Sequence, residues 1–422
     1  MLPEAPLSRA SEPTDAGQAA EAVARRSYGK LVAFLSARTR DVAGAEDALS
    51  DAFAKALELW RRDGIPENPE AWLLVVARRK MIDSLRRRRQ DQAYLDDQAL
   101  LAEFGSEEDE PPAIPDERLS LMFVCAHPAI ERSTRAPLIL QTTLGFDAAT
   151  IASAFLVAPA TMSQRLVRAK NKIRQAAIAF RVPDPADWVE RLDAVLEATY
   201  AAFAEGWADP SLAETHRRNL SKEGIWLGRL LASLLPEEPE VLGLLALMLH
   251  AEARRAARRS AQGDYVPLVE QDTRLWDLGL IGEAEALLVR ASRKQSPGRY
   301  QLEAAVQSAH AARRQSGRTD WGAIGLLYDA LFSLTGSPVI AINRAVAIGQ
   351  IRGPKAGLAA LDEVARDPRL AAYQPYWAAR AELLARLGEA TMARQAFQQA
   401  IGLETDPAVR RFLLQRSSHL GR

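Results

Sequence analysis

Apolar residues in this chain recur at spacings of three and four, and no stretch alternates β-branched residues with polar ones. That pattern specifies helices from one end to the other and leaves no segment written for a sheet. Ala, Leu and Arg dominate the 422 residues and aromatic residues make up only 6%. Ala and Leu lose little entropy in a helix, whereas strands favour β-branched and aromatic side chains. The expected fold class is all-α. The length allows two to four domains, and 48% apolar residues supply sizeable cores.

The organisation is read from breaks in that pattern. Residues 1–19 lack an apolar core and read as disordered, with no signal peptide. Residues 20–90 form a first helical block, interrupted by a loop at 61–70 that carries Gly64, Pro66 and Pro69. Residues 91–115 hold eight acids and no Lys or Arg in DQAYLDDQALLAEFGSEEDE, then a proline-rich PPAIP, and read as an extended acidic linker. A second small helical block follows at 116–178. Helices joined by short Gly/Pro loops fill 183–335 and 336–417. The apolar run at 241–251 is too short to span a bilayer and reads as a core helix. In the last segment, Trp377, Ala381, Leu384, Gly388, Ala393, Phe397 and Ala400 follow the large-and-small spacing of a tetratricopeptide repeat, with the closing proline displaced to Pro407. Residues 343–364 read as a weaker preceding unit.

The formal net charge is zero, 54 basic against 54 acidic residues. A uniformly basic nucleic-acid binder is therefore excluded, but the charge is segregated locally. AWLLVVARRKMIDSLRRRR sets Arg78, Arg79, Lys80, Arg86, Arg87, Arg88 and Arg89 against Asp83 alone, with Trp72, Leu73, Val75, Val76, Met81, Ile82 and Leu85 as its apolar side. One packed and one cationic face suit phosphate contacts; a solvated charged helix end is the plainer alternative. FDAATIASAFLVAPATMSQRLVRAKNKIR reads as a helix-turn-helix: a helix at 148–155, a turn at 156–158, and a second helix that opens at Pro159. Met162, Leu166, Ala169 and Ile173 should face inward. Thr161, Ser163, Gln164, Arg165 and Arg168 should face outward, where short polar and Arg side chains reach base edges and Lys170 grips phosphate. An ordinary hairpin with a basic surface would share this pattern.

The two blocks in this order resemble the sigma-2 and sigma-4 domains of extracytoplasmic-function sigma factors. AEDALSDAFAKALELW resembles the segment of that family that grips the clamp helices of the polymerase β′ subunit. PEAWLLVVARRKMIDSLRRRR resembles the helix beside the −10 element, and TIASAFLVAPATMSQRLVRAKNKIR the helix-turn-helix that reads the −35 element. DERLSLMFVCAHPAI and the segments after 180 resemble a subgroup with a long C-terminal extension of tetratricopeptide-like repeats. The resemblance implies that Asp47, Asp51 and Phe53 contact core RNA polymerase, whose β′ clamp helices and β flap are the expected partners. It implies that Asn68, Trp72, Arg78 and Arg79 lie near a flipped −10 base, although Trp72 equally reads as core. Leu156 stands where many sigma factors have Gly. The acidic linker either occupies a basic channel of polymerase or simply tethers the two blocks.

The extension carries no catalytic constellation. His216, His250, His310 and His419 are scattered, and Cys125 with His127 makes two ligands at most, not a zinc site. No cofactor, metal or membrane is expected, and a lone cysteine fits a cytoplasmic chain. Helical repeats present concave surfaces to peptides, so the extension is expected to dock a protein or peptide and to regulate activity. A helix-turn-helix regulator independent of polymerase and a helical-repeat scaffold are the competing readings; an enzyme fits least.

Overall fold

The computed structural model describes residues 15–91, 116–155, 157–183, 188–208 and 215–420. They form α-helices linked mostly by short turns; the longer connection at 254–277 carries three 3₁₀ helices and one isolated β-bridge, Arg259 to Tyr265. The all-α expectation is met. The acidic segment from 92 and the extreme N-terminus lie outside the described residues, as does Leu156. No helix among the described residues is long and apolar enough to cross a membrane. The chain divides into two compact units, Met1–Ala202 and Phe203–Arg422.

In the first unit, α1 (Asp15–Thr39) starts earlier than the expected position 20, and α2 (Val42–Asp63) and α3 (Pro69–Asp91) follow. Asp41 caps α2 by accepting from the Gly44 N–H at 3.0 Å. The expected face of α2 is buried at Ala45, Ala48, Leu49, Ala52, Ala56 and Trp60. Asn68 caps α3, its Oδ1 accepting from Ala71 N at 3.1 Å. The inward stripe of α3 is Leu73, Leu74, Ala77 and Met81. Val75, expected inward, is exposed; a stripe of period 3.6 through 73 and 77 takes in 74 and 81 and excludes 75. Trp60 and Trp72 meet edge to face at 5.6 Å.

Helices α4 (Arg118–Cys125) and α5 (Arg132–Leu144) lie against α1. The α1–α5 approach is so close that a Cβ on Gly29 would stand 2.1 Å from the Thr143 carbonyl oxygen. α6 (Ala148–Ala154) and α7 (Pro159–Gln175) complete the block, with Asp147 opening α6 through its contacts to Ala149 N and Thr150 N. Pro159 begins α7, where its missing N–H costs nothing. Ile151, Ala152, Met162, Leu166, Ala169 and Ile173 are all buried. α8 (Trp188–Ala208) continues from this block, tied to it by Arg191 donating to the Phe123 carbonyl at 3.0 Å and by the Arg132–Glu197 ion pair.

The second unit is a run of packed helices: α9 (Thr215–Leu234), α10 (Pro239–Ala253), α11 (Leu278–Ser292), α12 (Arg299–Ala311), α13 (Arg313–Ser316), α14 (Trp321–Thr335), α15 (Pro338–Ile351), α16 (Pro354–Glu363), α17 (Gln374–Leu387), α18 (Ala390–Leu403) and α19 (Pro407–Ser418). α10 is apolar nearly all round and is buried against α9, α11 and α12. From its first turn Glu240 reaches the N-terminus of α12 and accepts from Tyr300 N at 2.9 Å and Gln301 N at 3.1 Å, a favourable site for a carboxylate. Ala381, Leu384, Ala393, Phe397 and Ala400 of the repeat pattern form one core cluster, with Trp377 packed against it. Gly388 takes the left-handed turn between α17 and α18. Pro407 is not a displaced end to that pair: it opens α19.

Candidate polymerase and nucleic-acid interface

On α2, Asp47 and Asp51 are exposed one turn apart on the face opposite the core, and Phe53 is half-buried. Asp51 pairs with Lys80 of α3 at 2.7 Å, with both side chains largely in solvent, where such a pair contributes about 0–1 kcal/mol. Asp47, Asp51, Lys80, Met81 and Ser84 line one shallow cleft between α2 and α3. An acidic rim on α2 therefore abuts the start of the cationic side of α3.

On α3, Arg79 is exposed, and Arg78 and Lys80 are half-buried. Asn68 has its amide oxygen committed to the helix cap, which leaves its amide N–H groups for any further contact. The backbone at Arg86 and Arg87 is helical, but their side chains lie outside the described residues. Trp72 is half-buried against Trp60, a packing position.

On α7, Thr161, Ser163, Gln164 and Arg168 are exposed and Arg165 is half-buried. Arg168 folds back along its own helix to the Gln164 carbonyl at 3.3 Å. Arg165, Arg168 and Lys172 line a second shallow cleft with Glu131 and Thr134. These side chains form one polar, cationic face, as the spacing predicts.

Lys170 departs from that face. Expected to point outward, it turns into the unit and pairs with Glu46 of α2, 124 residues away in sequence. Both side chains are nearly buried, 11% and 10% exposed. Position 170 borders the inward stripe of 166, 169 and 173, so a long side chain there can reach either way. The acid on α2 draws it inward. Burial pushes the Glu46 carboxyl above its usual range, with Lys170 opposing that shift. The Arg174 guanidinium lies 3.8 Å from Asp41 beside this pair. Glu46 was missed from the sequence; its signal was an acid beside Ala45 and one turn from Leu49 on an apolar face.

Cys125 is a core residue. Its Sγ lies 3.4 Å from Thr142 Oγ1, and burial pushes the thiol up to about 12. His127 turns its Nδ1 to the Ala129 N–H. Among the described residues no group of three or more His, Cys, Asp or Glu is arranged to hold a metal ion.

The acidic rim of α2 and the cationic side of α3 fall within a stretch that matches a known family. Residues 23–90 match sigma-70 region 2, which spans α1 to α3. Residues 191–292 match a family of unknown function, DUF6596. The chain is 40% identical over 382 residues to an uncharacterized protein of Rhizobium meliloti (strain 1021), covering 89% of this chain and 90% of that one. No solved structure matches. The chain belongs to one family with that Rhizobium protein, and its sigma-70 region 2 at residues 23–90 supports a sigma-70 family factor. Region 2 supports a sigma-factor-like role in transcription initiation and implies binding to core RNA polymerase and promoter DNA.

Proposed function

We propose that the chain is an extracytoplasmic-function-type sigma factor. α2 meets core polymerase through Asp47, Asp51 and Phe53. α3 lies along the −10 element, with Asn68, Arg78, Arg79, Lys80, Arg86 and Arg87 as its contacts. α6 and α7 act as a helix-turn-helix on the −35 element through Thr161, Ser163, Gln164, Arg165 and Arg168. The observation that carries this reading is a second cationic helix, α7, that follows the region-2 block and exposes a polar N-terminal half. Such a half suits base edges in the major groove, with the cations behind it on phosphates. A polymerase-independent regulator would need α7 alone and has no use for the acidic rim of α2.

The second unit, with its helical hairpins, docks a protein or peptide and regulates the first, and the protein works in the cytoplasm. The direct test of polymerase contact is charge reversal. Asp47→Lys with Asp51→Lys should abolish co-migration with core polymerase while stability falls by no more than about 1 kcal/mol, because both side chains are largely in solvent and only the exposed Asp51–Lys80 pair is lost. Undiminished core binding by that variant would refute the assignment of α2.

A further inference from the structure

Arg254, Arg255, Arg258 and Arg259 crowd the turn that follows α10, and their partners differ in kind. Arg255 pairs with Glu252 at 2.8 Å, and Arg259 with Asp406. Arg254 pairs with no acid among the described residues. Its Nε donates to the His250 carbonyl at 3.3 Å and one Nη to the Gln307 side-chain oxygen at 2.5 Å. Arg313 of α13 likewise donates only to neutral oxygens, the carbonyls of Val269 at 2.8 Å and Gln271 at 3.1 Å. Arg258, Arg313, Tyr265 and Tyr328 are the groups that act on the Arg254 charge, and no carboxylate stands among them. His250 and His310, lowered to about 4 chiefly by burial, are neutral at pH 7 and add no counter-charge.

Desolvating a guanidinium costs free energy that neutral acceptors offset only in part, and a second cation beside it adds repulsion. Burial, and then Arg258, hold the Arg254 guanidinium down to about 10. The C-terminus of α10 offsets some of this with its partial negative charge. An arginine kept for structure alone takes a carboxylate, as Arg255 and Arg259 do. Around Arg254 the neighbours are instead further donors: the Arg258 guanidinium and two tyrosine hydroxyls. Guanidinium and hydroxyl donors together match the acceptor oxygens of a phosphate or carboxylate. Arg254, Arg258, Tyr265, Gln307 and Tyr328 are each half-buried, so solvent still reaches the cluster. Two positive charges, on Arg254 and Arg313, lack a counter-ion, which calls for a dianion.

We propose that Arg254, with Arg258, Tyr265 and Tyr328, forms an oxyanion site in the second unit that takes the phosphate or carboxylate groups of a small dianionic ligand. The site is independent of the polymerase and promoter assignments and gives the second unit a ligand of its own.

The test is calorimetric titration of the full-length chain, at fixed ionic strength, with inorganic phosphate and separately with succinate. Saturable binding of one molecule per chain is expected for at least one of them. The stronger binder tells a phosphoryl ligand from a dicarboxylate. Gln307→Glu places a carboxylate where Arg254 already donates, with almost no change of shape. It should weaken binding at least about fivefold, the scale of one charge-assisted hydrogen bond, and so should Arg254→Met. Arg411→Ala removes a nearby arginine already paired with Asp264 in solvent and should bind as the wild type does. No saturable binding of either probe overturns the proposal. So does a smaller loss in Gln307→Glu, or an equal loss in Arg411→Ala, which would mark general charge attraction. If Arg254→Met does not fold, Gln307→Glu decides alone. If that variant also fails to fold, Tyr328→Phe, which loses only a hydroxyl, must weaken binding, and unchanged affinity sinks the site.

Discussion

The Arg259 guanidinium is paired with Asp406 across 147 residues of chain, and both side chains are largely buried. Asp264 and Arg411 pair beside them at 3.2 Å, and Tyr265 meets Phe412 edge to face at 5.4 Å. The turn after α10 is thus clasped to the last helix, α19. Asp406 also caps α19 through Ala408 N at 2.8 Å. Asp406→Ala therefore removes a cap and strands a buried guanidinium. The expected cost is roughly 3–5 kcal/mol of second-unit stability, measured by denaturant unfolding. Arg411→Ala, whose pair is in solvent, should cost under about 1 kcal/mol.

Helices α15 and α16 meet through two glycines. A Cβ on Gly357 would stand 2.8 Å from Gly349 Cα and 2.9 Å from the Ala345 carbonyl, both backbone atoms that cannot turn aside. Gly357→Ala should destabilise the second unit by about 1–3 kcal/mol, as overpacking does. Gly402→Ala, with nothing near it, should be neutral or stabilising. Thermal unfolding of the two variants checks the contrast.

The pH dependence of the second unit follows from two buried histidines. His250, beside Arg254 and with Nε2 3.4 Å from Glu285, and His310, beside Arg254, Arg313 and Trp321, are each lowered to about 4, chiefly by burial. A folded-state value below the unfolded one means that stability is full above the unfolded value of about 6.5 and is lost as pH falls through about 4. Each histidine accounts for up to roughly 3 kcal/mol over that window. The melting temperature should fall between pH 6.5 and 4, and His250→Gln or His310→Gln should flatten the fall. A flat wild-type profile would contradict the burial of these rings.

The exposed face of α7 makes a graded prediction. Arg168→Ala, if it meets phosphate, should weaken every duplex alike and lower the salt slope by about 0.9. Gln164→Ala, if it meets a base edge, should cost about 1–3 kcal/mol at one position of the preferred site only. Binding measured over a salt series and a set of site variants separates the two.

Local patterns were legible in the sequence where one helix supplies its own evidence. The inward residues of α6 and α7, the first-turn position of Pro159, and the core made by Ala381, Leu384, Ala393, Phe397 and Ala400 follow from local pattern alone. Val75 is apolar beside Leu74 and Val76, but the helical stripe through 73, 74, 77 and 81 leaves it on the exposed side. The inward turn of Lys170 was not legible for a stronger reason. Its partner is 124 residues away, and no local rule relates them. The Arg259–Asp406 clasp was hidden in the same way. Charged pairs between distant helices are products of the fold, and they are where this chain departs from its pattern.

The most direct measurement is in-vitro transcription with core polymerase, comparing the full-length chain and a chain ending near residue 178 on a promoter library. Core-dependent initiation at promoters sharing one −35 and −10 pair is the expected result, with a difference between the two chains giving the sign of the combined effect of α8 and the second unit. No core binding and no initiation by either chain would contradict the sigma-factor reading outright.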